Sequence, residues 1–221
     1  MKRLMACGVV AMSVAACTVP KRPVAPNPLP ASAATSVEEL AAAIESDSQR
    51  SDHESDGKIR SQLADEATGY ANACLAQAPR AAACLYGQAK ALGLEARAHP
   101  TRAGELLKSM LDSLSSAEAA DPNYDEAGPA RVRALVLIRA PAWPLGPGDA
   151  DAGLAAARRA VELRPQYPPN LLALAEALAK TGDANGAREA YTRARDAAQA
   201  LPDTADRNGW LREADQGLQR K

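Results

Sequence analysis

An all-α solenoid of helical hairpins is the fold class this sequence predicts, and three observations carry the prediction. Alanine fills 52 of 221 positions, and no residue has a higher intrinsic helix propensity. β-Branched residues are scarce: five of nine Val precede residue 25, leaving Val37, Val132, Val136, Val161 and three Ile, too few to furnish a sheet. Pro79, Pro122, Pro165 and Pro202 each close an Ala-rich amphipathic run, at separations of 43, 43 and 37 residues, which fits two helices per repeat. A net charge of only -1 separates the chain from disordered sequences of similarly low aliphatic content. Acidic and basic residues interleave without a basic stripe, so nucleic acid is not an expected partner.

Three regions divide the chain. Residues 1–16 read as a signal peptide, with the basic start Met1-Lys2-Arg3 followed by a thirteen-residue apolar stretch from Leu4 to Ala16. That stretch is too short to span a bilayer, which needs about 20 residues. Val14-Ala15-Ala16-Cys17 resembles the lipobox of bacterial lipoproteins. The resemblance implies cleavage before Cys17 and lipid attachment to it, and Thr18 rather than Asp after the cysteine implies sorting to the outer membrane. The expected location is therefore the bacterial cell envelope, on its periplasmic face. Residues 17–35 hold the lipid-anchor cysteine and five prolines, a tether that at about 3.1 Å per residue reaches roughly 50 Å. Residues 36–221 form the helical-repeat domain.

Within the domain the elements follow in order. Ser36 and Glu39 form a capping box ahead of Val37, Leu40, Ala41 and Ile44, which starts a helix running to about residue 50. Asp52, His53, Glu54 and Asp56 are nearly contiguous around one histidine, the pattern of a solvated helix end rather than a metal site. His99 is isolated. A helix over about 58–78 completes the first pair. Further pairs are expected at about 80–97 with 101–120, 127–139 with 150–163, and 169–181 with 184–200, and a final helix at about 204–219 caps the stack. Cys74 and Cys84 each lie five residues from Pro79, so antiparallel helices turning there set the two side chains level. A disulfide and a pair of buried free thiols are the two readings of that arrangement, and an exported compartment permits the first.

The pair at 169–200 has a recognisable pattern. Leu171, Leu174, Ala175 and Leu178 share one helix face, Gly182-Asp183 makes the turn, and Ala187, Tyr191 and Ala194 face back. Small residues at Ala175 and Ala187 let the helices approach while Tyr191 fills the gap beside them. This resembles the tetratricopeptide repeat, whose hairpins stack into a right-handed solenoid. The pair at 127–163 matches in part, with Gly153, Ala157, Ala160 and Pro165. It departs in carrying a nine-residue loop from Ala140 to Gly148. The pair at 80–120 matches poorly, with Met110 where a small residue belongs. The loop Ala140-Pro141-Ala142-Trp143-Pro144-Leu145-Gly146, with Pro165-Gln166-Tyr167-Pro168-Pro169-Asn170 and the helix after it, is similar to the T-component lipoproteins associated with TRAP transporters. That resemblance implies a cavity for a small, partly apolar ligand and cooperation with a periplasmic solute-binding protein. It carries over Trp143, Tyr167 and Asn170 as binding positions, and the alternative for Trp143 is a plug closing the solenoid.

The loop is stiffened by Pro141, Pro144 and Pro147, which lowers the entropy lost on binding. Arg131 and Arg133, on the helix leading into it, are placed to meet a carboxylate or an acidic partner surface. No G-x-S-x-G, H-E-x-x-H or Walker loop occurs, and with two His in all the chain is expected to be neither an enzyme nor a holder of metal or cofactor. Two binding roles remain open: a scaffold whose groove takes a segment of another envelope protein, as in pilus, secretion or outer-membrane machinery, and a solute-handling component that encloses a small ligand. The inner helix of the 169–200 pair offers Leu172, Ala179 and Pro169 with Glu176 and Lys180 at its edge, which points to a closed, apolar groove.

Overall fold

The computed structural model describes residues 35–220. The signal, the Cys17 anchor and the proline-rich tether up to residue 34 lie outside the described residues. Among those described there are nine α-helices and no strand. They are α1 Val37–His53, α2 Gly57–Gln77, α3 Ala82–Ala98, α4 Ala103–Ala120, α5 Tyr124–Arg139, α6 Ala150–Leu163, α7 Pro168–Lys180, α8 Ala184–Gln199 and α9 Ala205–Gln219, with a 3-10 turn at Pro100–Arg102. No helix among them is long and apolar enough to cross a membrane.

Local chemistry sets the boundaries. Ser36 Oγ accepts from the Glu39 amide at 3.2 Å while Glu39 Oε2 accepts from the Ser36 amide at 2.8 Å, closing the capping box of α1. At the end of α7, Gly182 takes φ +89°, where a side chain would be strained. The Asp183 amide then donates to Leu178 O at 2.9 Å and the Gly182 amide to Ala179 O at 3.2 Å, a Schellman ending. Asp183 also caps α8 by accepting from the Gly186 amide at 2.8 Å. The acidic run around His53 extends α1 three residues beyond its expected end, because Arg97 on α3 pairs with Asp52 at 2.7 Å and holds the last turn.

Each helix packs on the next as an antiparallel hairpin, so α1, α3, α5, α7 and α9 lie along one face in the same direction. Their N-terminal ends form one edge of the solenoid and their C-terminal ends the other. Alanines line the seams: Ala64, Ala67, Ala89, Ala117, Ala134, Ala157, Ala175 and Ala214 are all fully buried. Tyr191 fills the space that this close packing leaves between α8 and α9, with its ring against Gly217, where any Cβ would collide. At the α2–α3 turn Cys74 and Cys84 are paired with their Cα atoms 5.3 Å apart, inside the range a disulfide spans.

One buried acid on α1 couples stability to pH. Asp47 is 3% exposed; its Oδ1 accepts from Arg50 Nη1 at 2.9 Å, and its Oδ2 has no hydrogen-bond partner. Burial, reinforced by the charge of Glu66 on α2, pushes its carboxyl up to about 6 against the pull of Arg50. The folded value thus exceeds the unfolded one near 3.9, so the fold prefers the protonated acid. The stability this confers is complete below about pH 4 and is lost as pH rises through about 6. Asp47→Asn is accordingly expected to exceed the parent at about pH 8 by on the order of 2 kcal/mol and to flatten the profile between about pH 4 and 7. Urea titrations across that range measure it, and equal stabilities at pH 8 would contradict the account.

Candidate functional site

Five of the six binding positions read from the sequence fall into two places. Trp143 and Pro144 sit at the tip of the α5–α6 loop. Arg131, Tyr167 and Asn170 gather where the start of α5 meets the end of α6 and the start of α7. Arg131 and the end of α5 are separated by about 12 Å of helix, so the two groups form no common site. Arg133 belongs to neither: its Nη2 lies 3.1 Å from Glu118 Oε2, tying α5 to α4.

The second group is an internal network. Asn170 is fully buried and Arg131 is 8% exposed. The Asn170 amide group donates to Glu126 O at 3.0 Å and Ala160 O at 3.1 Å, and its Oδ1 accepts from Arg131 Nη1 at 3.1 Å. Arg131 also donates to the carbonyls of Asp125 and Glu126, each at 3.2 Å, and to Asp125 Oδ2 at 2.8 Å. Tyr167 lies half-buried beside them, with the Arg131 guanidinium 5.2 Å from its ring centre and Trp210 of α9 packed edge-on at 5.7 Å. The expectation that Arg131 and Asn170 line a ligand site is therefore corrected: both are buried and spend their polar groups on the protein itself. The cause is a backbone feature that periodicity does not reveal. Asp125, Glu126 and Ala127 take φ of 49°, 54° and 64°, a left-handed turn within the first turns of α5 whose carbonyls point inward and need donors.

The loop is built differently. The Gly148 amide donates to Pro141 O at 2.9 Å, the Asp149 amide to Leu137 O at 2.9 Å, and the Leu145 amide to Ala142 O at 3.1 Å. Gly146 is required here, since a Cβ would meet Pro141 O at 2.7 Å, and at Gly148 it would run into Ala140 O. This cross-linked base holds Trp143 87% exposed and Leu145 79% exposed. The plug reading of Trp143 is thereby excluded, because its indole fills no space in the solenoid.

Beside the loop runs an open groove of about 530 Å³. It arises because α3 and α5 meet over only a short stretch, whereas α1 packs along α3 and α5 along α7. Leu94, Leu107, Met110, Val132 and Val136 make its apolar floor, Pro141 its end, and Arg97 and Arg139 part of its rim. The loop reaches the opposite wall at Gly104, where a Cβ would stand 3.2 Å from Leu145 O. The apolar groove expected along the 169–200 pair is not built from the residues named for it: Leu172 is 4% exposed inside the core shared with α9, Glu176 forms a bidentate pair with Arg139 at 2.8 and 2.6 Å, and of the rest Ala179 lines a smaller recess of about 250 Å³ with Tyr191, Gly217 and Leu218. Sequence reading missed the groove because its floor comes from the poorly matching pair, where Met110 displaces the small residue that would have drawn the helices together. No group of His, Cys, Asp or Glu among the described residues is arranged to hold a metal ion.

No family model and no curated protein matches this chain. Among solved structures it is similar to the crystal structure of a thermophilic TPR protein from Thermus thermophilus, with a TM-score of 0.52 at 21% sequence identity, over 81% of this chain and 92% of that one. The likeness shows the fold, a tetratricopeptide-like solenoid of helical hairpins.

The buried network yields a stability prediction. Asn170→Ala removes three buried hydrogen bonds, to Glu126 O, Ala160 O and the Arg131 guanidinium, and opens a cavity among them, which should lower stability by about 2–4 kcal/mol. Arg133→Ala removes one partly exposed ion pair and should cost less than about 1 kcal/mol. Chemical denaturation of the two variants side by side checks the order, and a costlier Arg133 substitution would reverse the assignment.

Proposed function

We propose that this chain is a membrane-tethered periplasmic lipoprotein that binds a segment of a partner polypeptide in the α3–α5 groove, with the Trp143–Leu145 loop as its anchor point, and performs no chemistry. The observation that carries the reading is the loop itself: two large apolar side chains held in solvent by a hydrogen-bonded base, beside an apolar groove. Exposed apolar groups in a fixed position are costly to a free monomer and lose little entropy on binding. An open groove suits an extended or helical segment better than an enclosed small molecule.

Topology agrees with an anchor at Cys17. The chain enters α1 at the edge of N-terminal helix ends, and the Trp143 loop follows the C-terminal end of α5 on the other edge. A lipid at Cys17 would hold the first edge toward the membrane and turn the loop toward the periplasm. Outer-membrane placement rests on the lipobox and Thr18, and the Cys74–Cys84 pair would be a disulfide there. The resemblance to TRAP-associated T-components suggests a periplasmic solute-binding protein as partner, and the alternative is a scaffold in an envelope assembly; the open groove serves both.

Trp143→Ala is expected to leave the melting temperature within about 2 °C of the parent, because an 87% exposed side chain contributes little packing, and to weaken partner capture at least tenfold. The test is quantitative pull-down from envelope extract with the parent and the variant, alongside thermal denaturation of both. Unchanged capture by a well-folded Trp143→Ala protein removes the loop from the function. Thiol titration of denatured protein isolated from the periplasm should find Cys74 and Cys84 unreactive; two reactive thiols would place the domain in a reducing compartment or leave the pair unbonded.

A further inference from the structure

The groove beside the Trp143 loop has a defined length and direction. Lys90 pairs with Glu45 and Arg97 with Asp52, and both pairs join positions forty-five residues apart, so α1 and α3 lie side by side in register. Lys90 and Arg97 mark the ends of the α3 wall, about 10 Å apart along the helix. Leu94 lies between them with Val136 across the floor. The Trp143 loop stands beyond the Arg97 end, with its indole 87% exposed.

The chain carries a segment of matching chemistry ahead of α1. Pro20, Pro23, Pro26 and Leu29 recur at every third position. A polyproline II helix turns once in three residues, so in that conformation the four form a single apolar stripe. Such stripes dock in apolar grooves flanked by aromatic side chains, and the fixed φ of proline keeps the entropy cost low. Leu94, Val136 and Trp143 supply that combination.

The lengths agree as well. Gln77 Nε2 donates to Thr35 O at 3.0 Å, which fixes where the segment joins the fold. The small residues Ala31 to Ala34 can reverse the chain there. Pro23 to Pro30 then covers about 25 Å as polyproline II, against about 24 Å along α1 from Ser36 to Asp52. Pro26 comes level with Lys90, Pro23 with Arg97, and Pro20, one turn farther, with Trp143. Lys21 and Arg22 thereby arrive where α1 ends in Asp52, Glu54 and Asp56, a run whose charge Arg97 offsets only in part. Asp52 and Asp56 are exposed there.

We propose that residues 20–30 of this chain occupy the groove when no partner is bound, with the proline stripe on its floor and Pro20 against Trp143. The inference rests on the groove's being a polypeptide-binding surface, and it adds the competitor that a partner must displace. Displacement frees the tether, so partner binding lengthens the reach from Cys17, and by linkage a stretched tether favours the partner.

The test uses the mature chain carrying Cys17→Ser and a fluorescent peptide of residues 19–30, followed by anisotropy. A tether variant carries Pro20→Gly, Pro23→Gly, Pro26→Gly and Leu29→Ser, all outside the helical domain. It should bind the peptide saturably, and the parent about threefold more weakly, because a tethered competitor acts at millimolar effective concentration. A peptide with Lys21→Glu and Arg22→Glu should bind at least threefold more weakly than the unaltered one at low salt. With Trp210→Phe in both chains, acrylamide should quench Trp143 about twofold more readily in the tether variant. Absence of saturable binding, equal binding by the two chains, or equal quenching overturns the proposal. A protection of Trp143 that grows with chain concentration also overturns it, assigning the groove to the tether of a second copy. The envelope pull-down keeps the two readings apart. Trp143-dependent capture without any tether effect retires this inference alone, whereas a tether effect without such capture supports it and retires the external partner.

Discussion

The fold depends on one polar constraint: the Arg131 guanidinium held among the carbonyls of a left-handed turn. Three consecutive non-glycine residues in that conformation cost about 1–2 kcal/mol each. Arg131 answers with three hydrogen bonds to Asp125 and Glu126, Asn170 adds one to Glu126 O, and the Tyr86 hydroxyl donates to Asp125 Oδ2 at 2.8 Å. Hydrogen bonds to charged groups contribute about 1.5–3 kcal/mol each, so the set offsets the turn. Gly128 is part of the arrangement, because a Cβ there would stand 2.7 Å from the Tyr86 hydroxyl. The network draws on α3, α5, the end of α6 and α7, so it joins the N-terminal hairpins to the C-terminal ones.

That junction also shapes the binding face. Redirecting the chain at the start of α5 lets the rest of this helix pack along α7 while it diverges from α3, and the divergence is the groove. Met110 and Leu107 of α4 show through the gap where closer helices would have covered them. The long α5–α6 loop then folds back toward α4 instead of over the solenoid, which leaves Trp143 and Leu145 in solvent at the groove's end.

Polar chemistry is distributed along the same face in a graded way. Near α1 and α3 the charges are matched, Lys90 with Glu45 and Arg97 with Asp52. Toward α9 the matching thins: Arg207 pairs with Asp203, but Arg212 and Arg220 have no carboxylate within ion-pair distance among the described residues. A solenoid suits this division, since each hairpin contacts chiefly its neighbours and can vary its inner surface without disturbing distant repeats.

The sequence by itself determined the class and the spacing of this fold. Alanine at seam positions, proline at a repeating interval, the Ser36–Glu39 box and the Gly182-Asp183 turn are local signals, and local hydrogen bonding and helix propensity carried them into helix ends that match within a few residues. It also brought Cys74 and Cys84 together, since a hairpin symmetric about Pro79 places them so. What tertiary structure decided was which conspicuous residues face outward. Arg131, Tyr167 and Asn170 look like binding residues because they are polar or aromatic beside a proline-rich loop, yet a left-handed turn of Asp125, Glu126 and Ala127 draws Arg131 and Asn170 inward to satisfy its carbonyls, and Tyr167 packs against the Arg131 guanidinium. Trp143 looks equally suited to plugging a core, yet glycines at 146 and 148 fold its loop outward.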